Sequence, residues 1–277
     1  MSEVTPFDAV LIAVAAVWGA VTGALLPRAA YRFSVPHEEE DRASAGDPGP
    51  VEDPGPVEDQ TAVGEPAGWR STCPNGHPLR GWTGPARCRA CAGTAASYGP
   101  GTPLLATLTA LLCVTLALAT GIRPELAVWL VLAPVGVLLA VVDLRVRRLP
   151  DPLTLPLAAT ALALLGVAAL LPEHAGDWTT ALLGSVALSA GYLVLHLLNP
   201  GGMGLGDVKL ALGAGAALGW YGWATVMLGT FAGFLLGALY GGALLVAGRA
   251  GRKTAIPFGP FLIAGAFVGL LIGAYAA

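Results

Sequence analysis

Charged side chains are scarce in this sequence. Only 12% of its 277 residues are Asp, Glu, Lys or Arg and 55% are hydrophobic, whereas a soluble domain carries about 25% charged residues. This composition excludes an ordinary soluble globular protein and predicts an all-α polytopic membrane protein. The first apolar run also lacks the small-residue cleavage site of a secretory signal peptide, so we expect it to remain as an anchor.

Cysteine is rare as well, and three of the four cysteines lie between Cys73 and Cys91, which does not fit a secreted disulfide framework. The fourth, Cys113, is inside an apolar run, where we expect it to pack as a small hydrophobic residue. The stretches CPNGH and CRAC give the pattern Cys-x3-His-x10-Cys-x2-Cys. Thiolate and imidazole ligands in two short clusters suit a tetrahedral zinc site that would stabilise a small loop. We therefore predict a structural zinc held by Cys73, His77, Cys88 and Cys91, the alternative being reduced, unliganded thiols.

Long apolar runs predict about eight transmembrane helices, since a helix needs about 20 apolar residues to cross the hydrocarbon core. The runs are 9–26, 104–122, 126–142, a fourth that ends at 171, 181–198, 208–220, 223–247 and 255–277. The sixth is short and interrupted by glycine, which is tolerated at membrane depth only when the helix is buried in protein or lines a wet cavity.

The sequence as a whole predicts four regions. These are an N-terminal transmembrane helix at 1–33, a linker at 34–68, a cytoplasmic zinc-binding loop at 69–101 and a seven-helix domain at 102–277. The linker contains HEEED and two copies of DPGPVE, and such a Pro-, Gly- and acid-rich segment cannot bury enough surface to fold.

The distribution of basic residues predicts the orientation. With the N-terminus outside, only Arg123 of the fifteen Lys and Arg residues lies in an external loop, which is the positive-inside pattern. The same threading puts the zinc loop, Asp143 and Asp207 on the cytoplasmic side.

Two aspartates stand at the ends of apolar runs. Asp207 follows a run of closely spaced glycines in GGMGLGDVKL, and Asp143 lies in VVDLRVRRLPDPLT. A carboxylate at a membrane boundary is costly, which makes each a functional candidate. The alternatives are that Asp207 caps a helix starting at Val208 and that Asp143 pairs with a neighbouring arginine.

Two carboxyl groups brought together in a poorly solvated site share a proton, so one acts as base on a water while the other donates to a carbonyl. This is aspartic protease chemistry. Gly204 and Gly206 would leave room for an extended peptide, and Lys209 would interact with the motif or with lipid phosphate. A proton- or cation-coupled transporter is the main alternative, and a non-catalytic assembly scaffold is another. For His196 the sequence favours an interhelical hydrogen bond over a role as ligand or base.

The sequence resembles the type IV prepilin peptidase family of GxGD intramembrane aspartic proteases. The resemblance rests on GLGD with its following lysine and on the Asp before LPDPLT, and it extends to GAVTGALLPRAAYRFSVP, CPNGHPL, ARCRACAG, ASYGPG and IPFGPFLIAGA. It implies that Asp143 and Asp207 are the catalytic pair. It further implies a type IV prepilin or pseudopilin substrate from a pilus or protein secretion system. The substrate's basic leader would be removed at the cytoplasmic face of the bacterial inner membrane. The expected partners are this substrate and membrane lipid, with no nucleic acid.

The zinc loop departs from the family pattern. His77 stands near the place where the family's first Cys-x-x-Cys cluster has its second cysteine, and the stretch from Leu79 to Arg87 is shortened. In the family this loop is associated with S-adenosylmethionine-dependent N-methylation of the trimmed pilin. The resemblance therefore implies S-adenosylmethionine as a second cofactor only if the shortened loop keeps that activity.

Overall fold

The computed structural model describes residues 6–35, 69–91, 97–248 and 257–277. Within these residues the chain forms eight α-helices: α1 (Pro6–Phe33), α2 (Thr102–Thr120), α3 (Glu125–Val146), α4 (Asp151–Ala168), α5 (Trp178–Leu198), α6 (Leu205–Trp220), α7 (Trp223–Val246) and α8 (Gly259–Ala276). Seven of them are long and apolar enough to cross a membrane, and the exception is α6, with 16 residues. The predicted all-α, multi-pass fold with a short sixth helix is confirmed.

Local chemistry sets the helix boundaries. Proline stands in the first turn of α2, α4 and α8, where its missing N–H has no intrahelical acceptor to lose. Helix α2 ends before Gly121, whose positive φ of 67° is accessible to glycine without strain. Helix α3 ends before Arg147, a left-handed residue of the kind that commonly terminates a helix, whose N–H donates to the Asp143 carbonyl at 2.8 Å. Helix α3 therefore continues past the predicted end of its apolar run at 142, and Asp143 lies inside its last turn.

Helix α6 is the buried centre of the bundle. It packs against α4, α5, α7 and α8, and its pairing with α5 is the most extensive in the described structure. A Cβ on Gly215 would overlap the carbonyl oxygen of Gly184, so the two backbones can approach this closely only because both residues are glycine. Burial by its neighbours satisfies the condition under which so short a helix is tolerated at membrane depth.

The bundle has two chemically different ends. At the far end, where α6 finishes, the Trp220 carbonyl accepts the N–H of Asp177 at 3.0 Å, and Glu125 at the start of α3 accepts the N–H of Ala175 at 3.3 Å. At the other end, which we call the motif end, α6 begins beside the connection from α3 to α4. The last turns of α1 and α3 also meet there, through Ala30 and Val142 among others.

The zinc loop is docked on α1 at the motif end. Arg28 donates through Nη1 to the Arg80 carbonyl at 2.8 Å, and Arg32 donates through Nη1 to the Gly81 carbonyl at 2.8 Å. The backbones of Arg28 and Gly84 are also bonded, N–H to carbonyl, at 3.0 Å. Except for residues 34 and 35, the predicted linker lies outside the described residues, and the division into four regions stays a prediction.

Candidate active site

Asp143 is a buried carboxyl group in the last turn of α3. Its residue is 4% exposed, and its Oδ2 atom has no hydrogen-bond partner within the described residues. The carboxyl lies against the start of α8, since a Cβ on Gly259 would come within 2.7 Å of Oδ2. Within the described residues no arginine forms an ion pair with Asp143, so the alternative of a local arginine pair is not supported.

Asp207 is the third residue of α6 and does not precede the helix. Helix α6 begins at Leu205, three residues before Val208, so the alternative in which Asp207 is the N-cap of a helix starting at Val208 is wrong. Gly204 holds that position, and Asp207 Oδ2 accepts its N–H at 3.2 Å. Because glycine has no side chain, this is one half of a capping box. Asp207 is 7% exposed, and its carboxyl group is near enough to Asp143 for the two to interact electrostatically.

Leu149 packs between the helix starts that surround the two aspartates. A Cβ on Gly206 would lie 2.9 Å from the Leu149 Cβ, and a Cβ on Gly259 would lie 3.3 Å from its Cδ1. Leu149 is 5% exposed, so it fills the space between the first turns of α6 and α8. The α3–α4 connection therefore brings Asp143 and Asp207 to one place, and both glycines are required for that close packing.

The four predicted metal ligands converge. One ligand atom from each of Cys73, His77, Cys88 and Cys91 lies within 4.8 Å of all the others. The Cys73 and Cys91 sulfurs are 3.8 Å apart, and His77 Nδ1 is 3.6 Å from Cys73 Sγ and 3.3 Å from Cys91 Sγ. A tetrahedral zinc with Zn–S near 2.3 Å requires sulfurs about 3.8 Å apart and sulfur to nitrogen about 3.5 Å. The cluster thus has the spacing that a zinc ion needs, and His77 belongs to it.

Local structure prepares the first half of this cluster. The Gly76 N–H donates to the Cys73 carbonyl and the Cys73 N–H to the His77 carbonyl, each at 2.9 Å, which closes a tight turn with Gly76 at φ 79°. Desolvation raises the pKa of the Cys73 thiol, but hydrogen bonds from the Asn75 and His77 backbones outweigh it and lower that pKa to about 6. A thiol with a lowered pKa is more readily present as the thiolate that binds metal.

Comparison with known proteins identifies the family. Residues 130–242, a range that contains both aspartates, match the model of the type IV leader peptidase family. The chain is also 36% identical over 225 residues to a prepilin leader peptidase/N-methyltransferase of Aeromonas hydrophila, and the match covers 74% of this chain and 72% of that relative. The chain belongs to the type IV leader peptidase family.

Other members of the family give the same result. A prepilin leader peptidase/N-methyltransferase of Aeromonas salmonicida (strain A449) is 36% identical over 206 residues, 71% of this chain. The chain spans only 66% of that relative, slightly less than two thirds. One from Pseudomonas aeruginosa is 31% identical over 224 residues, 73% of this chain and 71% of the relative. No solved structure matches the chain. The resemblance stated from the sequence is confirmed.

Lys209 has a partner in this leader peptidase family member that the sequence did not indicate. Its Nζ lies 2.6 Å from Asp151 Oδ2, and the two side chains are 33% and 57% exposed. The pair links the N-terminal part of α6 to the first turn of α4. Such an exposed pair contributes little to stability. The predicted contact of Lys209 with lipid phosphate stays untested.

Three polar residues on one face of α5 also reach the motif end. Ser189 Oγ donates to the Val208 carbonyl at 2.9 Å, and His196 Nδ1 lies 2.7 Å from the Met203 carbonyl. Tyr192 lies between these two residues in the sequence. Its side chain is buried and interacts electrostatically with Asp207. The contact of His196 with the Met203 carbonyl fits the hydrogen bond between chain segments predicted for this residue. The contacts of Ser189 and Tyr192 were not predicted. Their spacing of i, i+3 and i+7 on an apolar helix was the available signal.

Proposed function

We propose that this chain is an intramembrane aspartic endopeptidase that removes the leader from type IV prepilin-like or pseudopilin substrates. The observation that carries the proposal is the meeting of two buried carboxyl groups, Asp143 and Asp207, from helices far apart in sequence. Membership of the leader peptidase family supplies the substrate class. The same membership favours a peptidase over the transporter that the sequence left open.

In the proposed reaction the two aspartates share one proton. The ionised carboxylate removes a proton from a water molecule as the water oxygen bonds to the scissile carbonyl carbon, and the protonated carboxyl group gives its proton to the carbonyl oxygen. When the tetrahedral intermediate collapses, the carbon–nitrogen bond breaks, and the aspartate that accepted the water proton gives it to the leaving amine nitrogen. The other aspartate takes back the proton from the former carbonyl oxygen as the new carboxyl group forms, which restores the shared proton. Asp143 Oδ2, which is buried and has no partner in the described residues, is available to bind the water or the substrate.

An apolar cleft lies between helices of the bundle. It has a volume of about 320 Å³ and is lined by residues of α2, α3, α4, α6 and α8. Leu144, next to Asp143, and Pro260, next to Gly259, are among its walls. The hydrophobic helix that follows a prepilin leader would find apolar surface here, while the leader itself remained outside the lipid.

Charge supports a cytoplasmic position for the motif end. Its described segments carry Arg28, Arg32, Arg145 and Lys209, and the zinc loop adds further arginines, whereas Arg123 is at the far end. The positive-inside rule keeps such a face in the cytoplasm. We therefore propose that the leader is removed at the cytoplasmic face of the bacterial inner membrane.

Zinc and S-adenosylmethionine differ in how well the chain suits them. Zinc held by Cys73, His77, Cys88 and Cys91 would occupy a closed four-ligand site, which is typical of a structural metal. The apolar cleft is a poor match for S-adenosylmethionine, because its walls offer almost no polar group to a charged nucleoside. Methylation of the trimmed substrate is therefore not part of the proposed function.

Co-expression with a candidate prepilin tests the peptidase. Mass spectrometry should find a shortened product with the wild-type protein and none with Asp143→Asn or Asp207→Asn, because a dyad needs both members. The matched control is Asp177→Asn, which makes the same change at the far end, and it should process normally. Membrane levels of all variants are measured by immunoblot. Normal processing by either dyad variant would remove that aspartate from the mechanism.

A further inference from the structure

Tyr192 presents a buried hydroxyl group that nothing in the described structure satisfies. The residue lies in α5 and is 1% exposed, and its hydroxyl oxygen has no hydrogen-bond partner in the described part of the chain. Buried polar groups are nearly always hydrogen-bonded in native proteins, so an orphan needs an explanation. Unlike the lipid-facing side chains of α5, this one points into the protein.

The orphan hydroxyl is at the candidate active site. Tyr192 packs in one cluster with Leu149, Met203, Val208 and Phe258. Of these, Leu149 separates the first turns of α6 and α8, Met203 and Val208 flank the motif, and Phe258 precedes the glycine that contacts Asp143. The phenol also interacts electrostatically with Asp207. Two buried polar atoms without a hydrogen-bond partner in the described residues, this hydroxyl and Asp143 Oδ2, therefore belong to groups that both interact electrostatically with Asp207.

Aromatic packing holds the phenol ring in place. The ring centroid of Tyr192 lies 5.8 Å from that of Phe234 and 5.9 Å from that of Phe258, and those two rings are 5.0 Å apart. Tilted contacts at these distances are favourable for aromatic pairs. Because the three rings fix one another, the hydroxyl is held at one position, and the main remaining freedom is rotation of its O–H bond.

We propose that the Tyr192 hydroxyl is a third catalytic group, which donates a hydrogen bond to the scissile carbonyl oxygen as negative charge develops on it. This inference rests on the proposed peptidase function. The tyrosine keeps its proton throughout: the water proton still passes to one aspartate, and the other aspartate still protonates the carbonyl oxygen. A preorganised donor of this kind stabilises the transition state more than the bound substrate. The substrate carbonyl also supplies the acceptor that the hydroxyl otherwise lacks.

Cleavage kinetics of Tyr192→Phe test the role. The variant keeps the ring and deletes only the hydroxyl, so we expect kcat to fall by about 10²-fold, the usual effect of removing one such donor, with KM little changed. The matched control is Tyr240→Phe, which deletes the hydroxyl of a half-exposed tyrosine on α7 whose ring packs against Phe261 of α8. This variant should keep wild-type kinetics. Melting temperature should not fall in Tyr192→Phe, since the hydroxyl makes no hydrogen bond to any described residue.

The outcomes separate this inference from the peptidase proposal itself. Wild-type kcat in a folded Tyr192→Phe protein, together with an inactive Asp207→Asn, would overturn the role of Tyr192 and leave the peptidase standing. Absence of cleavage by the wild-type protein would overturn the peptidase instead. If Tyr192→Phe did not fold, 3-fluorotyrosine at position 192 would provide the second measurement, since it keeps the ring and makes the hydroxyl a stronger donor. An unchanged kcat with that residue would also contradict the proposal.

Discussion

The two aspartates have different surroundings although they share one site. Asp207 has a backbone donor, the Gly204 N–H at 3.2 Å, and stands at the N-terminus of α6, where the helix dipole stabilises negative charge. Asp143 is at the C-terminal end of α3, where that dipole is unfavourable to a carboxylate, but its carboxyl group also lies against the N-terminal start of α8, where the dipole is favourable. The helix dipoles therefore do not decide which aspartate carries the shared proton.

The two motif glycines should differ in their tolerance of alanine. A Cβ at Gly206 would lie 2.9 Å from the Leu149 Cβ, whereas a Cβ at Gly204 would approach nothing closer than Asp207 Oδ2 at 3.6 Å. Gly206→Ala must displace Leu149 or the start of α6, so we expect cleavage to fall by about tenfold or more. Gly204→Ala meets no comparable overlap, so we expect it to lose less activity than Gly206→Ala, with a small loss of stability because alanine is a poorer N-cap than glycine.

A second substitution checks the assigned cause. Leu149→Gly removes the Cβ that Gly206→Ala would strike, so the double variant should cleave faster than Gly206→Ala alone. Initial rates of prepilin cleavage in membranes, normalised to protein level, provide the comparison. Equal activity of Gly206→Ala and the wild type would contradict the close packing described here.

At the scale of the helix, α5 acts as a brace for the motif. Its Ser189 donates to the Val208 carbonyl and its His196 lies 2.7 Å from the Met203 carbonyl, so both sides of the glycine turn are bonded to one helix. We predict that His196→Phe lowers the cleavage rate by about tenfold or more, since a misplaced catalytic group is costly. His196→Asn, whose amide nitrogen is close to the position of Nδ1, should stay within a few-fold of wild type. A similar loss in both variants would show that the hydrogen bond is not the cause.

The zinc loop is a separate element whose loss should have a separate consequence. We predict one zinc per chain in purified wild-type protein, and a large loss of zinc in Cys88→Ser, measured by metal analysis. Because the cluster stabilises a loop with little core of its own, Cys88→Ser should lower the melting temperature, while the cleavage rate measured below that temperature should change little. Cys113→Ser is the matched control, since that thiol is buried in α2 away from the cluster. Full zinc retention by Cys88→Ser would contradict the assigned ligand set.

The sequence predicted the helices well because the bilayer imposes their length and polarity. It misplaced their ends, because these depend on single backbone conformations such as the left-handed Arg147 and the cap at Gly204. The ligands Cys73 to Cys91 followed from spacing alone. The docking of their loop on α1 through Arg28 did not, because Arg28 donates to the backbone carbonyl of a residue 52 positions away, Arg80, and no side-chain pattern indicates such a contact. Tyr192 was missed because an aromatic residue on an apolar helix looks like ordinary packing.

For the molecule as a whole, the proposed function depends on which face of the membrane the motif end occupies. The zinc loop, the start of α6 and most described basic residues share that end. The far end has Arg123 together with Glu125, Glu173 and Asp177. A leader rich in positive charge stays on the cytoplasmic side, so cleavage requires the motif end to face the cytoplasm.

Cysteine labelling at the two ends tests this orientation. Gly201→Cys places a thiol in the exposed turn before the motif, and Glu173→Cys places one in an exposed turn at the far end. A membrane-impermeant maleimide should label position 201 in inverted vesicles but not in intact cells, and position 173 in intact cells but not in inverted vesicles. Locating the label by mass spectrometry allows the native cysteines to stay, so the zinc loop is undisturbed. The pair of sites controls for leaky cells, because leakage would label both positions at once. Labelling of position 201 from the outside alone would reverse the topology, and prepilin leader removal could then not be the function of this site.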